Sequence, residues 1–256
     1  PDGVEKNDAH SEGAGFKGKL TPVDIVKVCS DCHSDIERVK FYRLDTNIYN
    51  EYLTSVHGQL LQKDDKNAAT CTDCHNTHLI LRKDNPSSPT NKHNIPDTCG
   101  RCHSNAVLME PYKIPTDQVI EYKEGVHGSI LYGKHAGNPE LVPACYDCHG
   151  VHGATPPEVT KVHFVCGTCH FAEQRYFMKS KHYVASRITG EPECITCHGN
   201  HKNTIPAKGL FIDSEKGACN RCHTDKDEPG YNVAEKFHNL TKDGLELLSR
   251  LESAKK

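Results

Sequence analysis

The chain of 256 residues has no tryptophan, only two methionines and an apolar fraction of just 36%. Its mean hydropathy is −0.66. Soluble domains are usually about 45–50% apolar. A core built from side chains alone would therefore be thin, and something else must fill it. No run of ~18 apolar residues occurs, which excludes a transmembrane helix. The sequence starts at Pro1 without a methionine, a basic stretch or an apolar segment. A secreted chain whose signal peptide has been removed is the expectation. Neither charge sign dominates: 31 basic and 34 acidic residues leave a net charge of −3. Nucleic-acid binding, which needs a clustered basic surface, is excluded on that ground.

Cysteine and histidine are abundant instead, at 14 and 18 residues. Every cysteine belongs to a C-x-x-C pair: Cys29/Cys32, Cys71/Cys74, Cys99/Cys102, Cys145/Cys148, Cys166/Cys169, Cys194/Cys197 and Cys219/Cys222. Histidine follows each pair at once, as His33, His75, His103, His149, His170, His198 and His223. At the frequency of histidine here, chance would do this about once in a hundred million. C-x-x-C-H is the attachment site of c-type haem. Two thiols add to the porphyrin's two vinyl groups, and the adjacent histidine sits under the iron as proximal ligand. Zinc ribbons use two C-x-x-C pairs per metal, and seven pairs cannot be shared that way. Disulfides give no reason for the histidines. The expected cofactor is seven covalently bound haem c groups, with the porphyrins serving as core.

The motifs fall into two classes. The second, fourth and sixth carry a further histidine three residues on: His78 in "CTDCHNTH", His152 in "CYDCHGVH" and His201 in "CITCHGNH". The odd motifs lack it. Each is followed by a segment of helical pattern bearing a histidine: "EYLTSVHGQLL" (His57), "EYKEGVHGSIL" (His127), "YFMKSKHYVAS" (His182) and "VAEKFHNLTKD" (His238). The repeating unit is an odd motif, a helix with histidine, then a doubled motif. Units start at Cys29, Cys99, Cys166 and Cys219, and such repeats stack on their neighbours. The predicted organisation is a flexible arm (1–27), two-haem modules at 28–98, 99–165 and 166–218, and a single-haem half-module with a C-terminal helix (219–256). The predicted fold is mostly α with much irregular chain and little β, an elongated set of modules wrapped around a continuous haem chain.

Seven irons need seven distal ligands for six-coordination. His57, His78, His127, His152, His182, His201 and His238 match that number. Methionine is no general ligand, since only Met109 and Met178 exist. Bis-histidine ligation implies low potentials compared with His/Met haems. His10, His93, His135 and His163 remain, and His93 and His163 precede odd motifs and are the first candidates to replace one of the seven. A histidine three residues after a proximal ligand cannot easily reach the far face of its own haem and is expected to serve a neighbour. Whether the helix histidines serve the preceding odd or the following even haem stays open.

On "SVHG", "CTDCHNTH" and "CGRCH" the chain resembles multihaem c-type cytochromes with doubled CxxCH motifs, over residues 28–224. The resemblance implies electron transport in anaerobic or extracellular respiration, in the periplasm or outside the cell. The implied partners are redox donor and acceptor proteins or extracellular acceptors. Some cytochromes of this kind assemble into extracellular haem filaments, which is the second reading. A multihaem reductase is the third. Enzymes of that class keep one iron open, whereas here histidines suffice for every iron, so no catalytic residue is expected. Haem propionates would make the charge more negative and favour basic docking surfaces on partners.

Overall fold

The computed structural model describes residues 18–204, 218–225, 227 and 229–254. The described residues are helical or irregular, with no strand among them. The chain is mostly α, as its pattern predicts. It divides into two compact units. One comprises residues 1–116 and 143–156, the other 117–142 and 157–256.

In the first unit α1 spans Pro22–His33, α2 Ile36–Val39, α3 Ile48–Thr54, α4 Val56–Leu61, α5 Cys71–His75, α6 Ile95–His103 and α7 Ala106–Met109. The second holds α8 (Gln118–Glu124) and α9 (Val126–Leu131), while α10 (Cys145–His149) belongs to the first. The second unit continues with α11 (Val162–Gly167), α12 (Phe171–Met178), α13 (Lys181–Thr189), α14 (Cys194–His198) and α15 (Pro229–Ala254). α1 begins inside the segment predicted as a flexible arm. Thr21 caps it through a reciprocal pair with Asp24, and Pro22 takes the first helical position, where no N–H is needed.

The local structure of residues 34–61 recurs at 104–131. Ser34 and Ser104 close the motif helices. Asp35 and Asn105 then cap the short α2 and α7 with their side chains. A single 3-10 turn ends at Arg43 and Lys113, both with positive φ (54° and 55°). α3 and α8 follow, and each breaks sharply at Ser55 or Gly125, in extended backbone, before α4 or α9 starts. Glycine is required just after the break. A Cβ at Gly58 would lie 2.0 Å from the Tyr52 carbonyl oxygen, and one at Gly128 2.1 Å from that of Tyr122.

The units cut across the sequence repeat, and the helix breaks explain why. The first N–H of α4 and of α9 has no partner within its own helix. The Val56 N–H donates to the Ala154 carbonyl at 3.1 Å, and the Val126 N–H donates to the Asn203 carbonyl at 2.9 Å. In each unit, the loop after one doubled motif thus docks on the helix pair of the preceding repeat. Side-chain cores are correspondingly small. Val26, Leu61 and Ala68 pack with Tyr49 and Tyr52 in the first unit. Tyr122, Leu131 and Val142 pack with Ile130 and Tyr132 in the second.

Candidate haem-binding sites

All seven C-x-x-C-H motifs lie on a helical turn, which points both cysteines and the histidine to one side. The first and third close α1 and α6. The fifth runs off the end of α11, and the seventh forms a 3-10 turn at Cys219–Arg221. The even motifs are isolated five-residue helices: α5, α10 and α14. Each is stabilised at its start by a bond from the preceding backbone N–H to the motif's third residue. Thr70 donates to Asp73, Ala144 to Asp147 and Glu193 to Thr196. Each even helix ends in a residue of positive φ: Asn76 (65°), Gly150 (87°) and Gly199 (80°). That conformation suits glycine and, less often, asparagine. It turns the chain away at once and carries His78, His152 and His201 off the helix of their own motif. None of the fourteen cysteines pairs in a disulfide.

Motif helices pack in couples: α1 with α5, α6 with α10, and α11 with α14. In each couple the first cysteines meet, with Cys71 beside Cys29, Cys99 beside Cys145 and Cys194 beside Cys166. Burial, then the neighbouring Cys29, pushes the Cys71 thiol up to about 12. The bond to Cys145 raises Cys99 and lowers Cys145 in turn. A second link joins an even motif to the next odd one. The Arg101 guanidinium donates to the Asp73 carbonyl, and that of Arg221 donates to the Thr196 carbonyl. Motifs one to four therefore follow in succession within the first unit, and five to seven within the second.

In five of the seven motifs the two cysteines differ in burial. The first cysteines, together with Cys102 and Cys197, are half-buried. Cys32, Cys74, Cys148, Cys169 and Cys222 are instead exposed. The packing of the couples is the reason. The first cysteine of a motif faces the partner helix. The second stands three residues on, about 60° round the same side of the helix, at the edge of that contact. Two of the exposed thiols have surface neighbours: the Arg38 guanidinium donates to Cys32 Sγ at 3.2 Å, and the Thr168 hydroxyl to Cys169 Sγ at 3.9 Å.

Four imidazole pairs face one another. His57 and His103 have ring centroids 6.2 Å apart, and His75 and His152 6.3 Å. His127 and His170 lie at 6.2 Å, and His182 and His223 at 6.1 Å. Interplanar angles range from 16° to 57°, so ring stacking is not what holds the spacing. A metal ion accepts an imidazole nitrogen at about 2 Å, so two imidazoles on opposite sides of one ion have centroids about 6 Å apart. In each pair one ring comes from a C-x-x-C-H motif and the other from the predicted distal set.

The register differs from both arrangements left open by the sequence. The helix histidines His57, His127 and His182 face the next odd motif, at His103, His170 and His223. His152 of the fourth motif faces back to the second. The helix break sets this geometry. Ser55 and Ser180 cap α4 and α13 by accepting from the Gly58 and Tyr183 N–H groups. His57, His127 and His182 each sit at the second helical position, aimed outward from the start of a helix. The described residues place no second imidazole at this spacing from His33, His78 or His198. His78 is exposed. His238 lies on α15, its side chain outside the described residues, and His10 lies outside them altogether.

Burial, followed by the opposing ring, holds His57 below the usual histidine range, and the same causes act on His75. Burial, then His149, lowers His103. Neutral imidazole is the form that binds metal. Several rings have the Nδ1 side engaged, which leaves Nε2 for a ligand. His149 Nδ1 lies 3.2 Å from the Thr155 carbonyl, His198 Nδ1 3.4 Å from that of Thr204, and His127 Nδ1 3.1 Å from Asn203 Oδ1. His152 and His201 instead face carboxylates, with Nδ1 3.8 Å from Glu51 and 4.0 Å from Glu121.

Of the remaining candidates, His93 and His135 are exposed. His163 is wholly buried, and its Nδ1 lies 2.9 Å from the equally buried Glu193. The rings of Phe164, Phe177 and Tyr183 enclose it. It packs between α11 and α14, and its buried Nε2 has no hydrogen-bond partner among the described residues. The sequence reading passed over Glu51, Glu121, Asn203, Arg101 and Arg221. The visible signs were a Glu-Tyr pair at a fixed distance before two helix histidines and arginine inside two odd motifs.

No family model matches the chain, and no solved structure matches it. A relative of known kind is the multiheme cytochrome MtrA of Shewanella baltica (strain OS185), 26% identical over 143 residues. The match covers 50% of this chain and 37% of that protein, so the chain spans well under half of its relative's length. Together with seven C-x-x-C-H turns and their opposed imidazoles, this distant likeness supports placing the chain among the multihaem cytochromes.

Proposed function

We propose that the chain carries seven covalently attached haem c groups and conducts electrons along them, as a low-potential carrier in anaerobic or extracellular respiration. The observation that carries the reading is the set of four imidazole pairs at one spacing, each containing a C-x-x-C-H histidine. A bound haem supplies one-electron exchange between ferric and ferrous iron, with the four equatorial nitrogens that the paired histidines lack. The fourteen cysteines hold the groups by thioether bonds, the exposed Cys32, Cys74, Cys148, Cys169 and Cys222 from the outer edge of their turns. His33, His75, His103, His149, His170, His198 and His223 ligate from the proximal side. His57, His152, His127 and His182 ligate from the distal side to the haems of His103, His75, His170 and His223. His78, His201 and His238 belong to the same distal set.

Large apolar side chains near the motifs fit this reading. Phe41 is 81% exposed, Val107 87% and Phe171 72%. Exposed apolar surface of this kind marks a place where another group lies, and a flat macrocycle held by the adjacent cysteines covers such side chains. Contact between successive motifs fits conduction, because electron transfer requires neighbouring groups to be close. Among the described residues no helix is long and apolar enough to cross a membrane. The cysteine content and thioether chemistry favour a place outside the cytoplasm. Redox proteins at either end of the haem series are the expected partners.

The crossed register is tested by His57→Ala. Electron paramagnetic resonance should show one haem turning high-spin, and the haem-attached peptide with altered exchange or labelling should be the one bearing His103. A change confined to the haem of His33 or His75 would refute the assignment.

A further inference from the structure

The loops that follow the fourth and sixth motifs both dock on a helix that carries a Glu-Tyr pair, Glu51-Tyr52 on α3 and Glu121-Tyr122 on α8. Each brings a histidine against the glutamate. His152 Nδ1 lies 3.8 Å from Glu51, with side-chain exposures of 28% and 41%. His201 Nδ1 lies 4.0 Å from Glu121, with exposures of 28% and 40%. The two contacts lie in different compact units, yet distance and burial agree. The same backbone bond locks both loops, from Val56 to Ala154 and from Val126 to Asn203. A further link, the Lys202 ammonium on Glu124 at 2.6 Å, holds the second loop on α8. Six residues before His182 the third helix has Tyr176, not glutamate, and the doubled motif after it, Cys194 to His201, sends its loop to the second helix pair instead, where Val126 donates to Asn203. Glutamate thus occurs on the helices that receive a doubled-motif loop.

We propose that Glu51 and Glu121 are positioning residues for the axial imidazoles of His152 and His201, and lower the potential of the haems these rings ligate. The inference rests on the ligation reading above. At 3.8 and 4.0 Å the carboxylate acts on the ring through its charge, which favours the proton on Nδ1 and leaves the Nε2 lone pair for the iron. Its negative charge strengthens the donor and stabilises the ferric state. The Nδ1 of His127 faces an amide oxygen instead. Two haems are thereby set below their neighbours by a device carried on a different repeat from the ring it orients.

Spectropotentiometry of the fully haem-loaded full-length chain tests this. Glu51→Gln keeps an oxygen acceptor but removes the charge. It should raise the ferrous-to-ferric ratio of one haem about tenfold at fixed potential, a 59 mV shift for one electron, with its low-spin signal retained. Glu51→Ala should add a change in that haem's g-values as the ring loses its orientation. Glu121→Gln should act on a different haem. Glu158→Gln, a surface carboxylate paired with Lys161, should move none. If no haem shifts in Glu51→Gln, or if Glu158→Gln shifts one equally, the inference falls. His152→Ala separates it from its basis. One high-spin haem there alongside an inert Glu51→Gln overturns only the role of the glutamate, whereas seven low-spin haems in His152→Ala overturn the ligation itself.

Discussion

Gly58 and Gly128 show how a residue that touches no ligand controls one that does. Each stands directly after a helix histidine, and each lets the start of a new helix press against the carbonyl of Tyr52 or Tyr122. A methyl group 2.0 Å from a carbonyl oxygen cannot be accommodated by a side-chain rotation, because both atoms belong to backbone or its first branch. Overpacking of this kind typically costs about 1–3 kcal/mol. Gly58→Ala should displace α4, lower the thermal midpoint and convert the haem of His103 to a high-spin form. Calorimetry and electron paramagnetic resonance on the same sample check both effects. Gly133, where a Cβ meets nothing within 4 Å but φ is 69°, should be milder when changed to Ala, losing stability through backbone strain and leaving every haem low-spin.

Among the elements, the three packed motif couples use the same contact with different chemistry. The residue three before the first cysteine of the odd motif is Val26, Pro96 or His163. The residue just before the even motif is Thr70, Ala144 or Glu193. In the third couple a fully buried imidazole and carboxylate replace small or apolar groups. Glu193 accepts from both the His163 backbone N–H, at 3.2 Å, and Nδ1. Removing one partner strands the other in a fully buried site. His163→Val should therefore destabilise the second unit by about 3 kcal/mol. The double change His163→Val with Glu193→Thr should recover most of that loss, since replacing a whole buried pair is often neutral. Chemical denaturation of the four variants forms the cycle, and a double variant as weak as the single would show that the pair contributes more than its own satisfaction.

For the whole molecule the expected chemistry is additive. Mass spectrometry of the mature protein should exceed the polypeptide mass by seven haem groups, and a smaller increment would remove a motif from the set. Two propionates per haem add negative charge to a chain already at −3. Electron exchange with a basic redox partner should slow as ionic strength rises, while exchange with an acidic partner should be slow at low salt and gain from screening. Stopped-flow rates at several salt concentrations measure this. Equal salt dependence for both partners would mean that local patches, not the overall field, govern docking.

The helical character was legible in sequence, and so were the seven C-x-x-C-H turns and the two spacings of further histidines, because each depends on a few adjacent residues. Cysteine and histidine in C-x-x-C-H share one helical turn wherever that turn lies in the fold. Which thiol of a pair is sheltered was not legible. Cys29 and Cys32 read alike in the motif, and only the docking of α5 on α1 covers the first and leaves the second exposed. The crossed pairing of His57 with His103 and of His152 with His75 was hidden too. It depends on where a helix breaks and which loop satisfies the N–H left bare at the break, and Val56 with Ala154 are partners separated by most of two repeats. Glu51 and Glu121 were hidden for the same reason, since their partners lie on another repeat. Local chemistry is written in adjacent residues, whereas ligand exchange between repeats arises only when the docked loops close.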